Sequence, residues 1–112
     1  MRVVVTGSAG YLGSVLTNDL LAQGHSVVGI DSLIYGGESL AGLVGHPQFT
    51  FRRGDLRDKS AVALALRGVE AVVHLAAIVG EPACNRDAEL ARAVNLEASI
   101  RLVDAARDAD LR

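Results

Sequence analysis

The sequence predicts an α/β domain: a parallel sheet with helices packed on its faces. Three observations carry this. Short β-branched apolar stretches at Val3–Val5 and Val27–Val28 do not alternate with polar residues, as befits strands buried on both faces. Stretches with apolar residues at helical spacing fall between the strands. Glycines and capping residues stand where one element hands over to the next. Strands that alternate with helices of this length imply right-handed crossovers between parallel neighbours.

Each element follows in order. Arg2 to Thr6 reads as the first strand. Leu12, Val15, Leu16 and Leu20 recur at helical spacing and mark a first helix. Gly24 sits where a left-handed residue would close that helix. His25 to Asp31 is a second apolar strand that ends in a carboxylate. The glycine-rich stretch 32–48 reads as loop, with a short helix near Leu40 to Val44. Phe49 to Arg53 alternates and suits an exposed edge strand. Asp58 can cap a helix from about Lys59 to Arg67, closed by Gly68. Ala71 to Ala76 is a fourth strand, and 77–86 is loop. Leu90, Val94, Ala98, Leu102 and Ala105 then mark one long helix from about Asp87 to Ala109, with a break expected near its first turns.

Composition narrows the function. A chain of 112 residues is one domain at most. It is 50% hydrophobic and 21% charged, which is globular rather than disordered. Net charge is −2, and the arginines are scattered along the chain. No basic stripe suits a nucleic acid, and no cationic amphipathic helix suits a membrane surface. No apolar run approaches the roughly 20 residues that span a bilayer. Met1 leads straight into a strand without a signal core, so a cytoplasmic location is expected. Cys84 is the single cysteine, which excludes an internal disulfide and a thiolate zinc site.

The stretch "VVVTGSAGYLGSVL" carries the chemistry. It places glycines at 7, 10 and 13, between a buried strand and a helix. A helix start offers free N–H groups and the positive end of a dipole. An anion bound there must come close to the backbone. Gly7 permits the tight turn, Gly10 removes the β-carbon that would hold a pyrophosphate away, and Gly13 allows close packing of the helix on the sheet. Asp31 lies 18 residues after Gly13, where a carboxylate takes both hydroxyls of an adenosine ribose. A 2′-phosphate there would meet like charge, and no arginine stands at 32–36 to reverse this, so NAD is expected over NADP. A nucleoside-triphosphate loop is excluded, because it needs Gly-Lys-Ser/Thr and the single lysine is Lys59. An FMN-type phosphate site fits poorly, since FMN has no adenosine for Asp31.

"TGSAGYLG" (Thr6 to Gly13), "GDLRD" (Gly54 to Asp58) and "HLAA" (His74 to Ala77), in this order, resemble the extended short-chain dehydrogenase/reductase family. More narrowly, they resemble its NAD-dependent nucleotide-sugar epimerases and dehydratases. Asn95 in "VNLEAS" matches the family's helix asparagine, although Ala98 and Ser99 stand where Gly-Thr is usual. The resemblance implies a Rossmann-type sheet with strand order 3-2-1-4 and a set of NAD contacts. Tyr11 and Leu12 would offer N–H groups to the pyrophosphate. Asp55 would accept from the adenine amino group, and Leu56 would pack on the ring. Ala76, Ala77 and Ile78 would line the ribose and nicotinamide side. Asn95 would hold the backbone near the active site. Val79, Gly80 and Glu81 would lie where family members touch substrate.

The family's chemistry also needs a tyrosine base with a lysine four residues later. Val15 follows Tyr11 at that spacing and Ser39 follows Tyr35, so neither pair is present. The resemblance therefore implies the NAD-binding portion of an epimerase or dehydratase, inactive by itself, with the catalytic and substrate-binding halves elsewhere. It also implies a homodimer through the long helix near residues 87–109. The alternative is a non-catalytic dinucleotide-binding or redox-sensing module of the same fold. Of the remaining residues, Cys84 reads as an inert loop thiol. The three histidines lack metal spacing, and His74 reads as a strand residue held by hydrogen bonds.

Overall fold

The computed structural model describes residues 1–33, 36–76 and 88–111. Four parallel strands form one sheet in the order β3-β2-β1-β4. They are β1 (Arg2–Thr6), β2 (Ser26–Asp31), β3 (Phe49–Arg53) and β4 (Ala71–His74). Helices α1 (Tyr11–Ala22) and α2 (Lys59–Ala65) make two of the crossovers' contacts with the sheet, and α3 (Ala88–Arg92) and α4 (Ala98–Asp108) follow β4. The expected order of elements and the expected sheet order are both observed.

Alternate residues of the two central strands face opposite sides, and each side buries its own cluster. Val4, Val28 and Ile30 pack with Leu56, Val62, Ala65, Leu66, Ala98 and Leu102. Val3, Val5 and Val27 pack with Leu21, Leu40 and Leu43 on the other face. This explains the unbroken valine runs: every position of a two-sided strand meets a core. Val5 is 0% exposed, and burying such a side chain contributes about 1.5–3 kcal/mol. β3 lies at the edge with Thr50 and Arg53 exposed, as its alternation implied.

Three details differ from the sequence reading. First, the buried positions of α1 are Gly13, Ser14, Thr17 and Leu21, while Leu12 and Val15 are 62% and 46% exposed. Small residues face the sheet because the helix start lies against the backbone of the preceding loop. Thr17 makes this tolerable by donating its hydroxyl to Gly13 O at 2.7 Å. Second, the expected helix near Leu40 to Val44 is a 3₁₀ turn at Glu38–Leu40, with further turns closed by Leu43 N and Val44 N on Leu40 O. Third, β4 ends at His74 rather than Ala76, because the Ala76 N–H turns aside to Thr6 Oγ1 at 3.1 Å. The long helix is interrupted by a π-helical segment at Ala93–Glu97, the break expected near its first turns.

The caps behave as their residue types require. Asp58 Oδ1 accepts from Ser60 N at 2.9 Å at the start of α2, and Gly68 beyond its end has φ +66°. Gly24, after α1, has φ +89°. Among the described residues, no helix is long and apolar enough to cross a membrane.

Candidate functional site

Because all four strands are parallel, their carboxyl ends lie along one edge of the sheet. Thr6–Gly7, Asp31, Arg53–Asp55 and His74–Ala76 therefore share that edge, the side on which ligands bind in open α/β sheets. The expected cofactor residues Gly7, Gly10, Tyr11, Leu12, Gly13, Asp31, Asp55, Leu56 and Ala76 are gathered there. Ala77 and Ile78 lie outside the described residues, as do Val79, Gly80, Glu81 and Cys84.

The glycine loop is built by backbone contact. Gly7 has φ +72°, and its N–H donates to Ile30 O at 2.9 Å. A β-carbon on Gly7 would stand 2.8 Å from Ala76 N. One on Gly13 would stand 2.1 Å from Gly7 O. So Gly13 is needed for the approach of the helix to the loop, more than to the sheet. Gly10 differs: a β-carbon there would meet only Gly7 O, at 3.3 Å, and the residue is exposed. It is the N-cap of α1 and no side chain caps the helix. The N–H groups of Tyr11, Leu12 and Gly13 open the first turn and have no partner within the helix. Tyr11 is 86% exposed beside them.

Asp31 does two jobs at the end of β2. Its Oδ2 accepts from Ala9 N at 3.0 Å and its Oδ1 from Leu33 N at 2.8 Å. The carboxylate thus fixes the glycine loop to the second strand. A carboxylate has about four acceptor positions, so two remain for a vicinal diol. Ser39 Oγ donates to Ala9 O, so the same loop residue is held from both ends. Sequence reading missed this serine, which is near the loop only in space.

Asp55 follows β3 after Gly54, whose N–H donates to Asp31 O at 3.0 Å. Arg57 grips the Asp55 carboxylate. Its backbone N–H donates to Oδ1 at 2.9 Å, its Nε lies 3.0 Å and 2.9 Å from the two oxygens, and its Nη2 donates to Oδ2. The Arg57 guanidinium holds the Asp55 pKa below its ordinary value, against the opposing effect of partial burial. Three donated protons leave one acceptor position on the carboxylate. Leu56, 7% exposed, is packed in the core beneath it.

The β3 register adds a cation that chain distance concealed. Arg53 is the direct neighbour of Asp31 across the β2–β3 pair. Paired residues on adjacent parallel strands lie about 4.8 Å apart and point to the same face. Ser8 is a second residue the sequence did not single out. It is fully buried, its hydroxyl has no hydrogen-bond partner, and a β-carbon on Gly29 would lie 2.6 Å from it.

Asn95 lies off this edge, in the π-helical segment, and its carbonyl accepts from Ser99 Oγ at 3.0 Å. His74 links the two regions. Its ring nitrogens lie 2.7 Å from Thr6 Oγ1 and 2.7 Å from Ser99 Oγ. Burial pushes its pKa below the ordinary histidine value. Among the described residues, no group of His, Cys, Asp and Glu could hold a metal ion.

A glycine cradle at a helix start, with a carboxylate ending the next strand, is what an adenosine diphosphate moiety requires. Proteins of known structure share the fold. A dTDP-glucose 4,6-dehydratase from Streptomyces venezuelae, solved with NAD and TYD bound, superposes with a TM-score of 0.90 at 35% identity, covering 99% of this chain and 37% of the other. A Thermus thermophilus UDP-glucose 4-epimerase in complex with NAD gives 0.87 at 36% identity, over 100% and 35%. Among curated relatives, a UDP-glucose 4-epimerase from Mycolicibacterium smegmatis is 38% identical over 100% of this chain and 36% of its own length. The chain thus spans about a third of the length of such relatives. Residues 3–112 match the sequence profile of the NAD dependent epimerase/dehydratase family. With its glycine loop, its parallel 3-2-1-4 sheet and these relatives, the chain belongs to that family, within the extended short-chain dehydrogenase/reductases.

Proposed function

We propose that residues 1–112 are the NAD-binding portion of a nucleotide-sugar epimerase or dehydratase. The observation that carries this is the start of α1. Three N–H groups of its first turn are open, and Gly10, which among the three glycines of this loop is the one whose β-carbon would meet little protein, stands at that opening. The pyrophosphate is held by the Tyr11, Leu12 and Gly13 N–H groups. The adenosine ribose takes the two remaining acceptor positions of Asp31. Asp55 accepts from the adenine amino group, with Leu56 as the floor. Ala76, and with it Ala77 and Ile78, borders the nicotinamide side. Bound NAD supplies reversible hydride acceptance from a sugar carbon. These residues orient it, and the base and its partner lysine come from sequence beyond these 112 residues. Without that pair the chain by itself is inactive.

NAD is preferred over NADP, because Asp31 binds a diol and repels a phosphate. The chain also forms a homodimer. Leu96, Ile100 and Val103 recur along one side of the last helical stretch and are 48%, 54% and 53% exposed. An apolar stripe of this kind suits helix-on-helix association. Calorimetric titration of the purified protein with NAD and NADP tests the cofactor reading: measurable NAD binding with weaker NADP binding is expected. Sedimentation tests the dimer, which Ile100→Glu should dissociate.

A further inference from the structure

Histidine 74 takes no direct part in the binding described above, yet it stands between two hydroxyls whose protons can be counted. Thr6 Oγ1 accepts the Ala76 N–H at 3.1 Å, and the Leu75 N–H at 3.0 Å, the latter shared with Thr6 O at 3.2 Å. A hydroxyl oxygen has two lone pairs and one proton. Both lone pairs are engaged, so the Thr6 proton is donated to His74 Nδ1, which must carry no hydrogen. The ring proton is therefore on Nε2 and is donated to Ser99 Oγ. The Ser99 proton then goes to Asn95 O. Each link has one donor and one acceptor, and reversing any of them sets two protons against each other.

The turn this chain holds is a sensitive one. Gly7 lies so close to it that a β-carbon would stand 2.9 Å from Leu75 C and Ala76 Cα. We propose that His74, as the neutral Nε2–H tautomer, is a positioning residue: through Thr6 it sets the turn after β4 against the glycine loop and ties both to the helix segment bearing Asn95. Its effect on a bound dinucleotide rests on the NAD reading above. Since Ala76 borders the nicotinamide side, loss of His74 disturbs that half of the site and spares the adenosine half.

Two measurements on the purified protein test this. Long-range ¹⁵N–¹H spectra report the tautomer. A His74 ring protonated on Nε2 alone at neutral pH is expected, and a dominant Nδ1–H form overturns the proton chain. His74→Phe keeps a ring of similar size and removes both nitrogens. NAD affinity should fall about tenfold, the scale of leaving one buried polar group unpaired, while ADP affinity changes less than about twofold. Equal losses for NAD and ADP, or no loss for either, overturn the positioning role. Should that variant not fold, Ser99→Ala removes the outer partner alone. It should weaken NAD by about threefold, again sparing ADP. If the unaltered protein binds neither NAD nor ADP, the NAD reading itself fails and the positioning role falls with it. The tautomer result decides the proton chain independently.

Discussion

A β-carbon placed on Gly13 would lie 2.1 Å from the carbonyl oxygen of Gly7, deep inside contact distance. Both atoms involved belong to backbone or its direct substituent, so neither can swing away. Gly13→Ala should therefore destabilise the fold by about 3 kcal/mol, at the upper end of overpacking costs. Gly10→Ala, which meets one oxygen at 3.3 Å, should cost under about 1 kcal/mol. Urea unfolding of the two variants checks the contrast. Equal losses would show that the glycines share one role.

A second pair works by volume. The Ser8 side chain fills the space beside Gly29, and its buried hydroxyl has no partner. Gly29→Ala should destabilise by about 1–3 kcal/mol. Adding Ser8→Gly should recover most of that loss, since the contact that causes it is gone. A double-mutant cycle measures the coupling. Additive losses would mean that the two residues do not compete for this space.

Stability should depend on pH through His74. Burial lowers its pKa in the folded state, so the unfolded chain binds a proton more readily. The contribution is present in full above the unfolded value near 6.5 and declines as pH falls below it. The slope from one such group is at most about 1.4 kcal/mol per pH unit. Arg107 and Asp110 border the same groove as His74. Unfolding free energies from pH 8 to pH 5 should show a decline that His74→Phe flattens. An unchanged slope in the variant would remove His74 as the source.

Nucleotide preference should hinge on two neighbouring residues. On the proposed reading Asp31 would repel a 2′-phosphate, and Arg53 is its partner across the β2–β3 register. Asp31→Ser should weaken NAD and raise NADP affinity relative to it by about tenfold or more, the size of a charge pair at partly screened distance. Asp31→Ser with Arg53→Gln should lose the NADP gain. Titration of the three proteins with both nucleotides provides the check. A gain that survives loss of Arg53 would assign it to another cation.

Much of this was legible in the residues, for reasons that can be named. The two-sided strands announced themselves because Val3–Val5 has no polar alternation. The glycine loop did so because backbone geometry is written directly in residue type: Gly7 at φ +72° and Gly68 at φ +66° stand where turns demand them. The buried face of α1 was not legible, because Leu12 and Val15 mark the helix by their spacing yet stand exposed. Gly13, Ser14 and Thr17 are buried instead, and a buried face of small residues gives no hydrophobic signal. Ser39, Arg53, Ser8 and Ser99 could not be found by spacing. Each acts across 20 to 30 residues of chain, through register or a crossover, and becomes visible only when strands are paired. Residues 77–87, which include those the family resemblance sets near a substrate, lie outside the described structure.

Calorimetric titration of NAD into the protein and its Gly10→Val variant is the most direct measurement. The account holds that a diphosphate rests on the first turn of α1, where Gly10 leaves room for it. NAD binding by the unaltered protein should be lost in the variant, with the variant's fold retained. Undiminished NAD affinity in a folded Gly10→Val protein would contradict it.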